Sequence, residues 1–213
     1  ERKILAGDSL RGHKIGLTSR AMQSSVGIDE PDYGHLLASM FFSDGAQFSM
    51  SKLIVPRVEL ELAFVLSKPL HGPNVNIFDV INATDFVVPA IELIDGRSKY
   101  PRRIVDNIAD NAACAGIVTG GRPVRPDSID LRWVSALLFK NGCIEESGVS
   151  AAVLGHPALG IAWLANKLSL HGDHLKVGQV VLSGSFTRMV AVKSGDVIHA
   201  DFGPLGSISV SFE

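Results

Sequence analysis

The chain has 213 residues, 46% hydrophobic and 20% charged, with 20 Lys plus Arg against 22 Asp plus Glu for a net charge of −2. This excludes a globally disordered chain and a broad basic footprint for nucleic acid, and no apolar run approaches the roughly 18 residues that cross a bilayer. Two cysteines, Cys114 and Cys143, exclude a disulfide framework or a Cys-rich zinc module. Both are expected as buried free thiols of a cytoplasmic protein. One domain over 1–213 is expected, and because the sequence starts at Glu1 and not Met, a further segment is expected to precede it.

Taken in chain order, the segments are mostly strand-like. Gly12-His13-Lys14-Ile15-Gly16 is a short N-terminal strand with a lysine between glycines. Asp32-Tyr33-Gly34-His35 follows Glu30-Pro31 and reads as a loop. Residues 53–66 alternate from Val58 onward, which places Val58, Leu60 and Leu62 on one face and Glu59 and Glu61 on the other. Asn76 to Ala83 has helical spacing. Residues 86–94 form a second β-branched run in which Pro89 predicts a break or an edge. A helix is expected from Ile104 to Ala115. Residues 131–147 predict a hairpin turning at Asn141-Gly142. Pro157 to Leu168 is the clearest helix, with Pro at its first position and Ile161, Leu164, Ala165 and Leu168 on one stripe. Gln179 to Leu182 predicts a buried strand ending at Ser183-Gly184-Ser185, and Val197–Ala200 and Ser207–Phe212 predict two closing strands. Trp133 and Trp163 read as core. The sum is a mainly β domain with peripheral helices.

The acids carry the chemistry. Residues two apart in a strand project to one side, about 6–7 Å apart at Cα. Glu59 and Glu61 on an inward face would repel one another, and a hard divalent cation resolves that conflict with oxygen ligands; a solvated outer face is the plainer alternative. Glu92 lies in the apolar run Pro-Ala-Ile-Glu-Leu-Ile and needs a partner. With Glu59 and Glu61 it would make a half-shell of three carboxylates. Asp95 is a rival fourth acid, although Asp95-Gly96 reads more simply as a turn. Lys14 is a candidate for anion binding or proton transfer. The backbone N–H groups of Ser183-Gly184-Ser185-Phe186-Thr187 could cradle a carboxylate. His171-Gly172-Asp173-His174 resembles a metal pair but reads as a solvated turn.

Together Gly12-His13-Lys14-Ile15-Gly16, Pro31-Asp32-Tyr33-Gly34, Glu59-Leu60-Glu61, Glu92-Leu93-Ile94-Asp95 and Gly184-Ser185-Phe186-Thr187 occur in the order seen in the fumarylacetoacetate hydrolase superfamily, which the chain resembles along its whole length, most of all in the hydratase and decarboxylase branch. The resemblance implies a mixed β-barrel or roll with a few surrounding helices. It implies Mg²⁺ or Mn²⁺ on Glu59, Glu61 and Glu92, Lys14 and Asp32 as the catalytic pair, and Ser185 and Phe186 at the substrate carboxylate. The implied reaction is water addition to a dicarboxylic 2-hydroxy-2,4-dienoate (its 2-oxo tautomer) in aromatic catabolism, by a homo-oligomer. Decarboxylation of a vinylogous 2-oxo acid, C–C hydrolysis with His13 as part of a base, and a non-catalytic scaffold are the alternatives. The similar enzymes carry a longer loop after Ser98, so Arg97, Arg102 and Arg103 are expected to flank a lid and to offer a cation to the far carboxylate.

Overall fold

A computed structural model describes residues 6–98 and 103–213, without the side chains of residues 21, 25 and 26. Two sheets form the framework. The larger contains β1 (Leu10–Gly16), β2 (Asp32–Leu37), β3 (Phe41–Ser43), β5 (Arg57–Leu66), β6 (Thr84–Ile94), β7 (Cys114–Thr119) and β10 (Val180–Leu182) in the order β2-β1-β10-β5-β6-β7-β3, with β11 (Val190–Ala191) added against β5. The smaller runs β4 (Gln47–Phe48), β13 (Ser207–Phe212), β12 (Val197–Asp201), β8 (Ser135–Lys140), β9 (Cys143–Val149). Both are mixed: β1–β10, β3–β7 and β4–β13 are parallel pairs and the rest antiparallel. The mainly β domain expected from the residues is therefore what forms, with the mixed sheets that the resemblance implies.

The helices are short and lie outside the sheets: α1 (Arg20–Val26), α2 (Ile77–Ala83), α3 (Ile104–Ala109) and α4 (Pro157–Ser169). Asn76 caps α2 by accepting from the amides of Phe78 and Asp79. In α4 the stripe Ile161, Leu164, Ala165 and Leu168 is buried against the main core, and His156 Nδ1 accepts from the Ala158 amide at 3.1 Å. α1 has no apolar stripe to announce it; its signals are Ser19, which accepts from Met22, and the left-handed Gly27.

Several expectations need correction. The segment from Asp32 is strand β2, paired with β1 through Gly16↔Asp32 and Lys14↔Gly34, and not a loop. Its backbone groups find partners in the sheet, which outweighs the turn preference of its residues. The helix from Ile104 stops at Ala109, because Asn111, Ala112 and Ala113 take positive φ and lead into β7. Pro89 neither breaks nor edges its strand. It sits opposite Leu62 in the interior of β6, with β5 on one side and β7 on the other. Leu62 directs its carbonyl to Ser183 and Pro89 its carbonyl to Gly120, so the donor that proline lacks faces away from β5, between the last β7 pair and the Val87–Val124 bridge. Trp133 is 64% exposed, since Leu131 takes the buried place in the same 3₁₀ turn. Cys143 is exposed on the edge strand β9, whereas Cys114 is buried. The hairpin at Asn141-Gly142 forms as expected, with φ of 53° and 82°.

Candidate metal centre and active site

Register brings the acids together. β5 carries Glu59 and Glu61 on the face opposite Val58, Leu60 and Leu62, and β6 places Glu92 directly across from Glu59. Like charges directly opposite in a ladder destabilise it. Glu61 and Glu92 are fully buried and Glu59 is half-buried, and one carboxylate oxygen from each lies within 4.8 Å of the others. Glu61 Oε2 accepts from the Gly184 amide at 2.8 Å. Glu61 Oε1 and both oxygens of Glu92 accept no hydrogen bond among the described residues. Orphaned buried carboxylate oxygens converging on one point fit a hard divalent ion, whose charge and lone-pair demand would satisfy them together.

Lys14 is 4% exposed, and its Nζ lies 3.3 Å from Glu92 Oε1. Burial works against its charge, but Glu92, with Asp32 and Glu59 behind it, outweighs burial and holds the ammonium above the ordinary lysine range. Asp32 is 1% exposed; Asn107 Nδ2 donates to its Oδ2, while Oδ1 has no hydrogen-bond partner among the described residues. Gly16 explains how the two meet. A Cβ there would lie 2.3 Å from Asp32 Oδ1 and 3.1 Å from Lys14 Nζ, so the missing side chain is the space in which acid and base stand together.

A cavity of about 710 Å³ opens over this face, lined by Lys14, Asp32, Glu59, Ser185 and Phe186 among others. The turn at 183–187 behaves differently from a free anion cradle. The Gly184 amide is taken by Glu61, the Phe186 amide donates to Leu60 O at 3.3 Å, and Ser185 Oγ donates to Thr187 O at 2.9 Å. It therefore holds a carboxylate of the protein itself. Asp95 is no ligand: it is buried with its carboxylate accepting from the amides of Ile54 and Val55. His13 alternates to the other side of β1, where it stands 5.1 Å from the His35 ring; burial, then His35, pulls its pKa down to about 4. His171 lies in an exposed turn after α4, as the sequence suggests, whereas His174 just beyond it is half-buried and stacks on the His71 ring at 4.0 Å.

The arginines named for the far carboxylate separate. Arg97 is locked by Asp110, with Nε at 2.6 Å from Oδ1, and does not line the cavity. Arg103 lines it and pairs with Asp106 at 3.4 Å. Arg102 lies outside the described residues. Arg57, Arg188 and Glu146 also line the cavity and escaped the sequence reading, because nothing local marks their side chains as inward-facing.

Metal and protons compete for the same oxygens. Burial, then Glu92, pushes the Glu59 carboxyl up to about 8, and burial, then Glu92 and Glu59, raises Glu61 well above the ordinary range. A folded pKa above the ordinary 4.5 means that folding takes up a proton, so this group's contribution falls as pH rises from 4.5 to about 8. Metal requires the ionised form. The stability gained on adding Mg²⁺ is expected to grow over that window. Denaturant titrations in Mg²⁺ and in chelator at about pH 5 and about pH 8 measure it; a gain independent of pH would detach the carboxylates from the metal.

A mixed β roll with a three-carboxylate cradle facing a buried lysine and aspartate defines the class of a divalent-metal enzyme acting on small anionic substrates. The chain belongs to the fumarylacetoacetate hydrolase family: the profile described as "Fumarylacetoacetate (FAA) hydrolase C-terminal" matches residues 13–212. It is 58% identical to 2-oxo-hept-4-ene-1,7-dioate hydratase of Escherichia coli over 217 residues, covering 99% of this chain and 81% of that protein. It is 40% identical to 4-oxalocrotonate decarboxylase of Pseudomonas sp. (strain CF600), covering 99% and 80%. Among solved structures, 4-oxalocrotonate decarboxylase from Pseudomonas putida G7, complexed with magnesium and adipate, superposes with a TM-score of 0.97 at 39% identity, covering 100% of this chain and 81% of that one.

Proposed function

We propose that this chain is a Mg²⁺- or Mn²⁺-dependent hydratase that adds water to 2-hydroxyhepta-2,4-dienedioate, the dienol form of 2-oxo-hept-4-ene-1,7-dioate, to give 4-hydroxy-2-oxoheptanedioate. The observation that carries it is the cradle of Glu59, Glu61 and Glu92 facing a buried Lys14–Asp32 pair. The identity of 58% to a hydratase, against 40% to a decarboxylase, favours hydration within the branch.

Glu59, Glu61 and Glu92 would hold the ion, which as a Lewis acid stabilises negative charge on the substrate's C2 oxygen. Lys14 is positively charged beside that site, so it draws in the C1 carboxylate and offers its charge to the negative oxygen that develops there. Protonation at C5 with loss of the 2-hydroxyl proton turns the dienol into a conjugated 2-oxo-3-enoate. Asp32, with Oδ1 unpartnered and Oδ2 fixed by Asn107, orients the water that attacks C4 and takes up its proton, which is then returned to C3 of the resulting enolate to give the 4-hydroxy-2-oxo acid. A decarboxylase needs only the charge stabilisation and a later protonation. A C–C hydrolase with a histidine base finds no support, since His13 does not line the cavity.

The reading includes one catalytic domain in the cytoplasm, supported by two free cysteines, and no helix among the described residues is long and apolar enough to cross a membrane. It also includes self-association, supported by the exposed apolar side chains of Phe78, Trp133 and Ile144; light scattering on eluting protein checks the mass.

The test supplies the dienol diacid with Mg²⁺ and follows its absorbance in heavy-oxygen water. Label in the C4 hydroxyl is expected. CO₂ released in step with the absorbance loss would move the chain to the decarboxylases. Asp32→Asn is expected to slow hydration by about 10²–10⁴-fold, with Mg²⁺ affinity within a few-fold of the parent; unchanged turnover would remove Asp32 from the chemistry.

A further inference from the structure

The segment after the 183–187 turn contains a bulge with a consequence for specificity. Val190 pairs with Val58, which in an even antiparallel ladder would put residue 188 opposite Leu60. Phe186 is bonded to Leu60 instead. Two extra residues are therefore looped out, and Thr187, Arg188 and Met189 together face the single position of Glu59. Bulges of this kind re-aim a side chain beside a site. This one is pinned: Leu60 N donates to Thr187 Oγ1 at 3.2 Å, and Ser185 Oγ donates to Thr187 O at 2.9 Å. Strand β9 closes against it. A Cβ on Gly148 would lie 1.9 Å from Phe186 O, so only glycine lets the two backbones approach this closely. Two residues earlier on β9, Glu146 meets Arg188, with Oε1 at 2.7 Å from Nη2; Glu146 is 15% exposed and Arg188 85%.

Resting on the hydratase reading above, we propose that Arg188, held at the crest of this bulge by Glu146, binds the carboxylate at the far end of the substrate and so selects dicarboxylic over monocarboxylic 2-oxo acids. The other cations lining the cavity are placed for other work. Lys14 is bound to Glu92. Arg57 is half-buried and shares a strand face with Glu59 two residues away. Arg103 pairs with Asp106 within its own helix turn. Arg188 lines the cavity, and Glu146 engages only one of its terminal nitrogens. The remaining donors of the guanidinium fork stay available for a second carboxylate. Glu146 acts as a positioning residue: it fixes the fork, and it neutralises the arginine until a dianion arrives.

Binding of 2-oxoheptanedioate and of 2-oxoheptanoate to the Mg²⁺-loaded protein, followed by calorimetry, tests this without depending on turnover. The parent protein is expected to prefer the diacid, and Arg188→Met to reduce the ratio of the two affinities by about ten- to hundredfold. Arg188→Lys, which keeps the charge without the fork, should retain part of the preference. Glu146→Gln should weaken binding of the diacid several-fold and leave binding of 2-oxoheptanoate unchanged. No preference in the parent overturns the proposal; so does an equal loss for both ligands in Arg188→Met, or a preference that survives there and vanishes in Arg57→Met. A protein that prefers the diacid yet hydrates no dienoate would uphold this site and sink the hydratase reading.

Discussion

Glu92→Ala is expected to abolish Mg²⁺ binding at neutral pH and reduce turnover by orders of magnitude. Glu92 is fully buried, stands directly across the ladder from Glu59, and has no hydrogen bond at either oxygen among the described residues. In a folded sheet such an arrangement persists when protons or a cation neutralise it, and Lys14 is in ion-pair distance of Glu92, which leaves Glu59 and Glu61 to a proton or a metal ion. Loss of a partner that merely orients a ligand lowers metal affinity by about 10–100-fold, so loss of a ligand itself should exceed that. The readout is double. Calorimetry with Mg²⁺ gives the affinity, and thermal unfolding with and without metal gives the linkage. At a metal concentration of about 100 Kd the parent gains roughly 2.7 kcal/mol of stability, and the variant should gain none. A Glu92→Ala protein that keeps full affinity and rate would mean that the ion is bound elsewhere.

Much of this centre is legible along the chain, and the remainder is not for identifiable reasons. Alternation over Val58–Leu62 fixes which face Glu59 and Glu61 share, because the side-chain period of a strand is two and needs no tertiary information. The pairing of Glu59 with Glu92 is different. It depends on the register between strands that are far apart in the sequence, and a shift of one residue would have sent Glu92 to the other face. The Asn141-Gly142 hairpin is local and forms as read. Strand β2 is not local: Asp32-Tyr33-Gly34 has turn-forming residues, yet β1 supplies the ladder that holds them extended. Gly16 could be noticed as a glycine in a strand, but only the fold shows that its missing side chain makes room for Asp32 and Lys14. The bulge at 187–189 leaves no trace in composition, since it is defined by which residues of β5 its two ends meet.

Lys14→Met is expected to lower turnover by about 10²–10³-fold, the range for losing one donor that stabilises developing negative charge, while its effect on stability depends on the metal. The sequence marks Lys14 only as a candidate for anion binding or proton transfer. The structure adds to that reading, because Lys14 is a buried cation in an ion pair with Glu92. Breaking a buried pair by removing one partner destabilises by about 3–5 kcal/mol, since the other charge is left uncompensated. In chelator, Lys14→Met should therefore lose a large part of its stability. In saturating Mg²⁺ the ion supplies positive charge to the same carboxylates, and the melting temperature should return close to that of the parent without any recovery of turnover. Substitution by Met keeps the apolar stem, so that the packing of Lys14 against its neighbours contributes little to the difference. The two roles of Lys14 are then read from one variant by two measurements: thermal unfolding in chelator and in Mg²⁺, and dienol turnover in Mg²⁺. A stability loss of equal size in both conditions would make Lys14 a structural partner of Glu92 alone, and near-normal turnover in Mg²⁺ would take it out of the reaction.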